Sequence, residues 1–220
     1  MQTWGSLRWH PDWFKLNRTL APKFEWPEAT DRLKVVYMVP KWRNRVHADA
    51  ASDLLARVQQ LDFVSVAVMG HPRHKSDAKL VEGLTGDPLR DHPDIDWDVV
   101  HDVSGADSVG LIEACDVVID IGSSIGIEVL MQGKVLVNPT YTHELTTFFD
   151  TIDGVAVVAR SADEVTGYLE AHANGDRHEV SPAAYDELLR QTVYGSREEP
   201  FDVPQEYVSR MADIAAGRTR

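Results

Sequence analysis

The chain is poor in cysteine, in lysine and in uninterrupted apolar stretches, and each shortage excludes something. A single cysteine, Cys115, in 220 residues can form no intramolecular disulfide. No apolar run approaches the roughly 20 residues that cross a bilayer, and the opening MQTWGSLRWHPDWFK lacks the continuous apolar centre of a signal peptide. Together these point to a cytoplasmic protein. Lys and Arg number 22 against 35 Asp and Glu, for a net charge of −13, and the basic residues are scattered. Phosphate backbones are held by clustered cations, so this balance speaks against a nucleic-acid partner. It does not speak against a small anion, because backbone amides and one or two local arginines act at short range.

What is present reads as a globular chain, 43% apolar and 26% charged, long enough for one full domain core. Short β-branched runs alternate with helical patterns, which predicts a parallel sheet of about six strands covered on both faces, a Rossmann-like α/β fold. The strands fall at 33–39, 63–70, 97–102, 116–121, 135–139 and 154–159. Helices are expected over 47–61, 108–115, 124–132, 144–150 and 161–172, the last with Ser161 and Glu164 spaced as a capping box. Beyond 175 the pattern turns wholly helical, at 182–195 and 203–217. The chain therefore divides into an N-terminal connector segment (1–32), a Rossmann-like α/β unit (33–175) and a C-terminal helical extension (176–220).

In the connector, Trp9, Trp13, Leu16 and Leu20 recur at helical spacing after Pro11, an apolar stripe expected to pack on this chain or on a neighbouring lobe. Arg8, Lys15 and Arg18 beside it allow at most a peripheral membrane contact.

Ligands of open parallel sheets bind beyond the carboxyl ends of the strands. The segments there are PKWRNR (40–45), GHPRHK (70–75), GSSIG (122–126) and NPTYTHE (138–144), which gather basic and imidazole groups in an otherwise acidic chain. Gly122 permits a sharp turn, and Ser123 or Ser124 would cap the following helix and leave amides facing outward, suited to a diphosphate. Glu128 lies one turn further on, too far for a reciprocal cap, where a carboxylate can accept both hydroxyls of a ribose. The spacing is not the Gly-x-Gly-x-x-Gly of nicotinamide enzymes, and it comes late in the chain. His71 and His74 have no carboxylate to complete a metal set, so no metal is expected.

VVIDIGSSIGIEVLMQGKVLVNP, with VAVMGHPRHK and VYMVPKWRNR, resembles the C-terminal nucleotide-binding lobe of GT-B-type enzymes. The likeness is toward UDP-N-acetylglucosamine 2-epimerases, CDP-glycerol glycerophosphotransferases and surface-polysaccharide biosynthesis proteins, and it covers about residues 33–175. It implies a UDP- or CDP-linked substrate, no separate cofactor, and nucleotide-binding roles for Gly122, Ser123, Ser124 and Glu128. By the same resemblance His71 and Arg73 fall near the phosphates, Lys41 and Arg43 face the donor, and Thr142 and His143 continue its pocket. GT-B enzymes have two lobes, and no first lobe is visible here. The resemblance therefore implies a transferase or epimerase lobe that needs a partner chain or segment to supply the other half, and it assigns no catalytic residue. The alternative is a non-catalytic binding or assembly module with the same fold.

Overall fold

The computed structural model describes residues 5–70, 86–195 and 201–218. Six parallel strands are ordered β3-β2-β1-β4-β5-β6. They are β1 (Leu33–Met38), β2 (Val64–Met69), β3 (His101–Asp102), β4 (Val117–Asp120), β5 (Val135–Pro139) and β6 (Val157–Ala159). Eight α-helices occur among the described residues: α1 (Pro11–Leu20), α2 (Ala48–Val58), α3 (Ser108–Ala114), α4 (Ile125–Met131), α5 (Phe148–Thr151), α6 (Ala162–Ala173), α7 (Pro182–Thr192) and α8 (Val203–Ala215).

The period of two along each strand sends alternate side chains to opposite faces. On β1, Val35 and Tyr37 join Leu54 and Leu55 of α2 and Leu169 of α6 in one core. Val36 and Met38 join Leu111, Ile112, Ile127, Leu130 and Leu188 in the other. Burial on both faces explains why these strands are continuous β-branched runs. Tyr37 carries a polar atom into the first core and satisfies it by donating to the Ala51 carbonyl at 2.7 Å.

Three local expectations are corrected. The strand expected over 97–102 is only His101–Asp102, because Asp96 accepts the Asp98 amide and its carbonyl accepts the Val99 and Val100 amides, which folds 96–100 into turns. Ser161 does cap α6 by accepting the Glu164 amide, but the Glu164 carboxylate accepts the Arg160 amide rather than that of Ser161. A reciprocal capping box forms instead at Thr147 and Asp150 on α5.

The third correction concerns α1, for the part of its stripe expected to pack on this chain. Pro11 starts the helix as expected, but the residue it buries is Phe14, while Trp13, Leu16 and Leu20 are exposed at 50%, 46% and 71%. Trp9, Phe24 and Trp26 pack against the second core on either side of the helix. Trp26 also donates to Ser65 Oγ at 2.7 Å, which ties the segment to β2. No helix among the described residues is long and apolar enough to cross a membrane.

Candidate functional site

The strand order reverses between β1 and β4, and in open parallel sheets that switch point opens a crevice beyond the carboxyl ends. The loop leaving β1 turns at Arg45, whose φ of 55° is unusual for a residue with a side chain. It is then clamped to the loop leaving β5: Val46 bridges His143, the Glu144 amide donates to the Arg45 carbonyl at 3.1 Å, and the His47 amide to the Thr142 carbonyl at 2.8 Å. The β5 loop in turn lies against the Gly122 bend, where φ is 65°. A methyl group placed on Gly122 would sit 3.2 Å from Leu145 Cδ1 and 3.4 Å from Thr147 Cγ2. The left-handed backbone favours glycine there, and the contacts leave a side chain little room.

Thr142 and His143 are both engaged within this scaffold. Thr142 is fully buried, with its hydroxyl donating to the Pro139 carbonyl at 2.7 Å. His143 accepts the Leu145 amide at Nδ1, so the proton lies on Nε2, which donates to Asn138 Oδ1 at 3.2 Å. Asn138 in turn donates to Asp150, whose carboxylate also receives the Thr147 amide and hydroxyl. Burial lowers the His143 pKa against the opposing pull of Asp150. The ring is a neutral strut behind Gly122.

At the bend itself, an internal carboxylate takes part of what an external anion would use. Asp120, at the end of β4, is 1% exposed and accepts the Ser123 amide at 2.9 Å and the Ser123 hydroxyl at 2.7 Å. The Ser123 amide therefore faces inward, toward Asp120. Ser123 Oγ also accepts the Ile125 amide at 3.2 Å, whereas Ser124, the N-cap of α4 by position, makes no side-chain cap. Burial outweighs these hydrogen bonds and raises the Asp120 pKa to about 7. In the sequence Asp120 is marked only as a carboxylate closing a β-branched strand.

Glu128 is carried on the inward side of α4, with its side chain only 9% exposed. A buried carboxylate needs a cation or several donors, and here Arg8 supplies a hydrogen bond of 2.6 Å from Nη2 to Oε1. Arg8 was missed because nothing local in WGSLRWHP distinguishes it. Both residues line a crevice of about 380 Å³ between α1, the start of α3 and α4, whose other walls include Asn17, Leu20, Pro22 and Val109. Lys41 is half-buried and Arg43 exposed on the β1 loop. His71 and Arg73 lie outside the described residues.

No protein-family model matches the sequence, and no curated protein matches it. Solved structures do. Methanocaldococcus jannaschii UDP-GlcNAc 2-epimerase, in complex with UDP-GlcNAc and UDP, aligns with a TM-score of 0.51 at 11% identity, over 84% of this chain and 53% of its own. Anabaena HepE in complex with UDP-glucose aligns at 0.49 and 13% identity, over 92% and 52%. Thermosulfurimonas dismutans KpsC, a β-Kdo 2,4 transferase, aligns at 0.47 and 15% identity, over 68% and 47%. The fold is that of a single GT-B lobe. At these identities the likeness is one of fold alone, and the chain spans about half the length of these structures.

Glu128 accepts, Arg8 donates, and the loops after β1, β4 and β5 hold the bend rigid. No group of three or more His, Cys, Asp or Glu suited to a metal ion occurs among the described residues.

Proposed function

We propose that this chain is the nucleotide-binding lobe of a GT-B-type glycosyltransferase, glycerophosphotransferase or sugar-nucleotide epimerase of surface-polysaccharide biosynthesis. It would hold a UDP-linked sugar or CDP-linked alcohol, with the diphosphate at Gly122–Ser124 and the ribose diol on Glu128. Lys41 and Arg43 would approach the phosphates from the β1 loop, joined by His71 and Arg73. The observation that carries the reading is Glu128: a nearly buried acid beside the switch point, one oxygen held by Arg8, opening on a crevice. A carboxylate held in that way loses little entropy on accepting hydroxyls. Residues 33–175 would form the binding unit, and turnover would require a second lobe from a partner chain or segment. On this reading the protein would work in the cytoplasm.

A ligand selective for the folded state raises its melting temperature by mass action. The test is thermal unfolding with UDP, CDP and inorganic pyrophosphate at millimolar concentration. A Tm increase with UDP or CDP is expected, and Glu128→Gln should reduce it while leaving any pyrophosphate response. No response to any of the three removes the reading.

A second reading, an assembly module without catalysis, is favoured by one observation. Trp13, Leu16 and Leu20 on α1 and Val208, Met211 and Ile214 on α8 are all exposed, and large exposed apolar patches mark docking sites.

A further inference from the structure

The segment ahead of the sheet does more than pack on it. Arg8 reaches 120 positions along the chain to Glu128, and α1 faces the start of α3 across the same crevice. We propose that residues 8–22 form the outer wall of a nucleoside pocket, in which Arg8 fixes the diol-binding acid and Asn17 meets the edge of the base. This rests on the nucleotide reading above and adds to it a specificity-determining element outside the 33–175 unit.

Three features carry it. First, the crevice of about 380 Å³ is shared between Glu128 and the N-terminal segment, so a nucleoside whose sugar lies on that acid has α1 as its neighbour. Second, the wall has the chemistry of a base site: Leu20, Pro22 and Val109 give apolar surface, and Asn17 is half-buried on the same side. The Asn17 amide offers one acceptor and two donors, enough to pair with a base edge, and its side chain makes no hydrogen bond among the described residues. Third, Arg8 solves an electrostatic problem. A carboxylate facing a nucleotide would repel its phosphates, and at short range in a partly buried site that repulsion is substantial. Arg8 cancels the charge of Glu128 and keeps further N–H donors on its 59% exposed side, while leaving the second carboxylate oxygen for the ribose.

Gly110 shows that the wall is seated closely. The Pro22 carbonyl lies where a Gly110 Cβ would be, at 2.2 Å, so helix α3 admits the segment only because it lacks a side chain there.

The experiment is titration of UDP, ADP and inorganic pyrophosphate into the full chain and into Arg8→Ala, Arg8→Lys and Asn17→Ala, each checked for an unchanged circular dichroism spectrum. Arg8→Ala is expected to weaken UDP about tenfold and pyrophosphate by less than twofold, with partial recovery in Arg8→Lys. Asn17→Ala is expected to change the UDP-to-ADP affinity ratio by at least threefold. If the wild type binds UDP and both alanine variants bind all three ligands as it does, the wall proposal fails and the nucleotide reading stands. If the wild type binds pyrophosphate but neither nucleotide, both fail together.

Discussion

Asp120 holds Ser123 twice, accepting its amide on Oδ2 at 2.9 Å and its hydroxyl on Oδ1 at 2.7 Å, and so fixes the bend between β4 and α4 from inside. Such an arrangement has a pH signature. Burial raises the Asp120 pKa to about 7 from an ordinary value near 3.8, so between those limits the folded state keeps a proton that the unfolded state releases. Stability must then fall as pH rises from about 4 to 7, by up to about 4 kcal/mol for a shift of this size. Asp120→Asn should lose that part of the slope and gain on the wild type as pH increases. Urea unfolding at pH 5 and pH 8 measures it, and parallel profiles for the two proteins would contradict the assignment.

The two glycines of α3 and α6 should respond to alanine with opposite signs. Gly110 faces the Pro22 carbonyl, so Gly110→Ala must push the N-terminal segment outward and is expected to cost about 2 kcal/mol or more. Gly167 has nothing within 4 Å of its Cβ position, and Gly167→Ala should stabilise by about 0.5–1 kcal/mol through helix propensity. Denaturant midpoints of the two variants decide both.

Anchoring of α1 through Phe14 rather than through its exposed stripe is open to the same measurement. Phe14 is 4% exposed, and Phe14→Ala should cost about 3 kcal/mol, the lower range for a buried aromatic. Trp13→Ala, at a half-exposed position, should change stability by no more than about 0.5 kcal/mol. Equal costs would mean that the stripe is packed.

Gly122→Ala combines a backbone φ of 65° with a side chain pressed toward Leu145 and Thr147. A loss of about 1–2 kcal/mol is expected from the left-handed backbone alone. Any nucleotide response in thermal unfolding should fall further than stability does, because the β5 loop would be moved from the bend.

Much of the architecture was legible. Runs such as VVYMV and VSVAV are apolar on both alternating faces, which only a strand covered on both sides tolerates, and five strands lie where such runs lie. The short β3 was misjudged because Asp96 can fold the chain into turns by hydrogen bonds that compete with the ladder. The face of α1 that meets this chain is hidden from the sequence for a different reason. Periodicity shows that a helix has an apolar arc, but Phe14 stands about 100° around the helix from Trp13, and which face meets this chain depends on the surface offered by α3.

The residues of the bend were likewise visible as types, and their engagements were not. Gly122, Ser123 and Glu128 stand in the sequence at turn and helix spacing, so a strand-turn-helix unit with an acid on its first turn follows from local rules. That Asp120 would claim Ser123, that His143 would spend both ring nitrogens within the scaffold, and that Arg8 would settle on Glu128 follows from no local rule. Periodicity and turn chemistry act over a few residues and are written in the chain; ion pairs between positions 120 apart form only because the sheet has already brought their elements together, and burial then makes each unpaired charge too costly to leave alone.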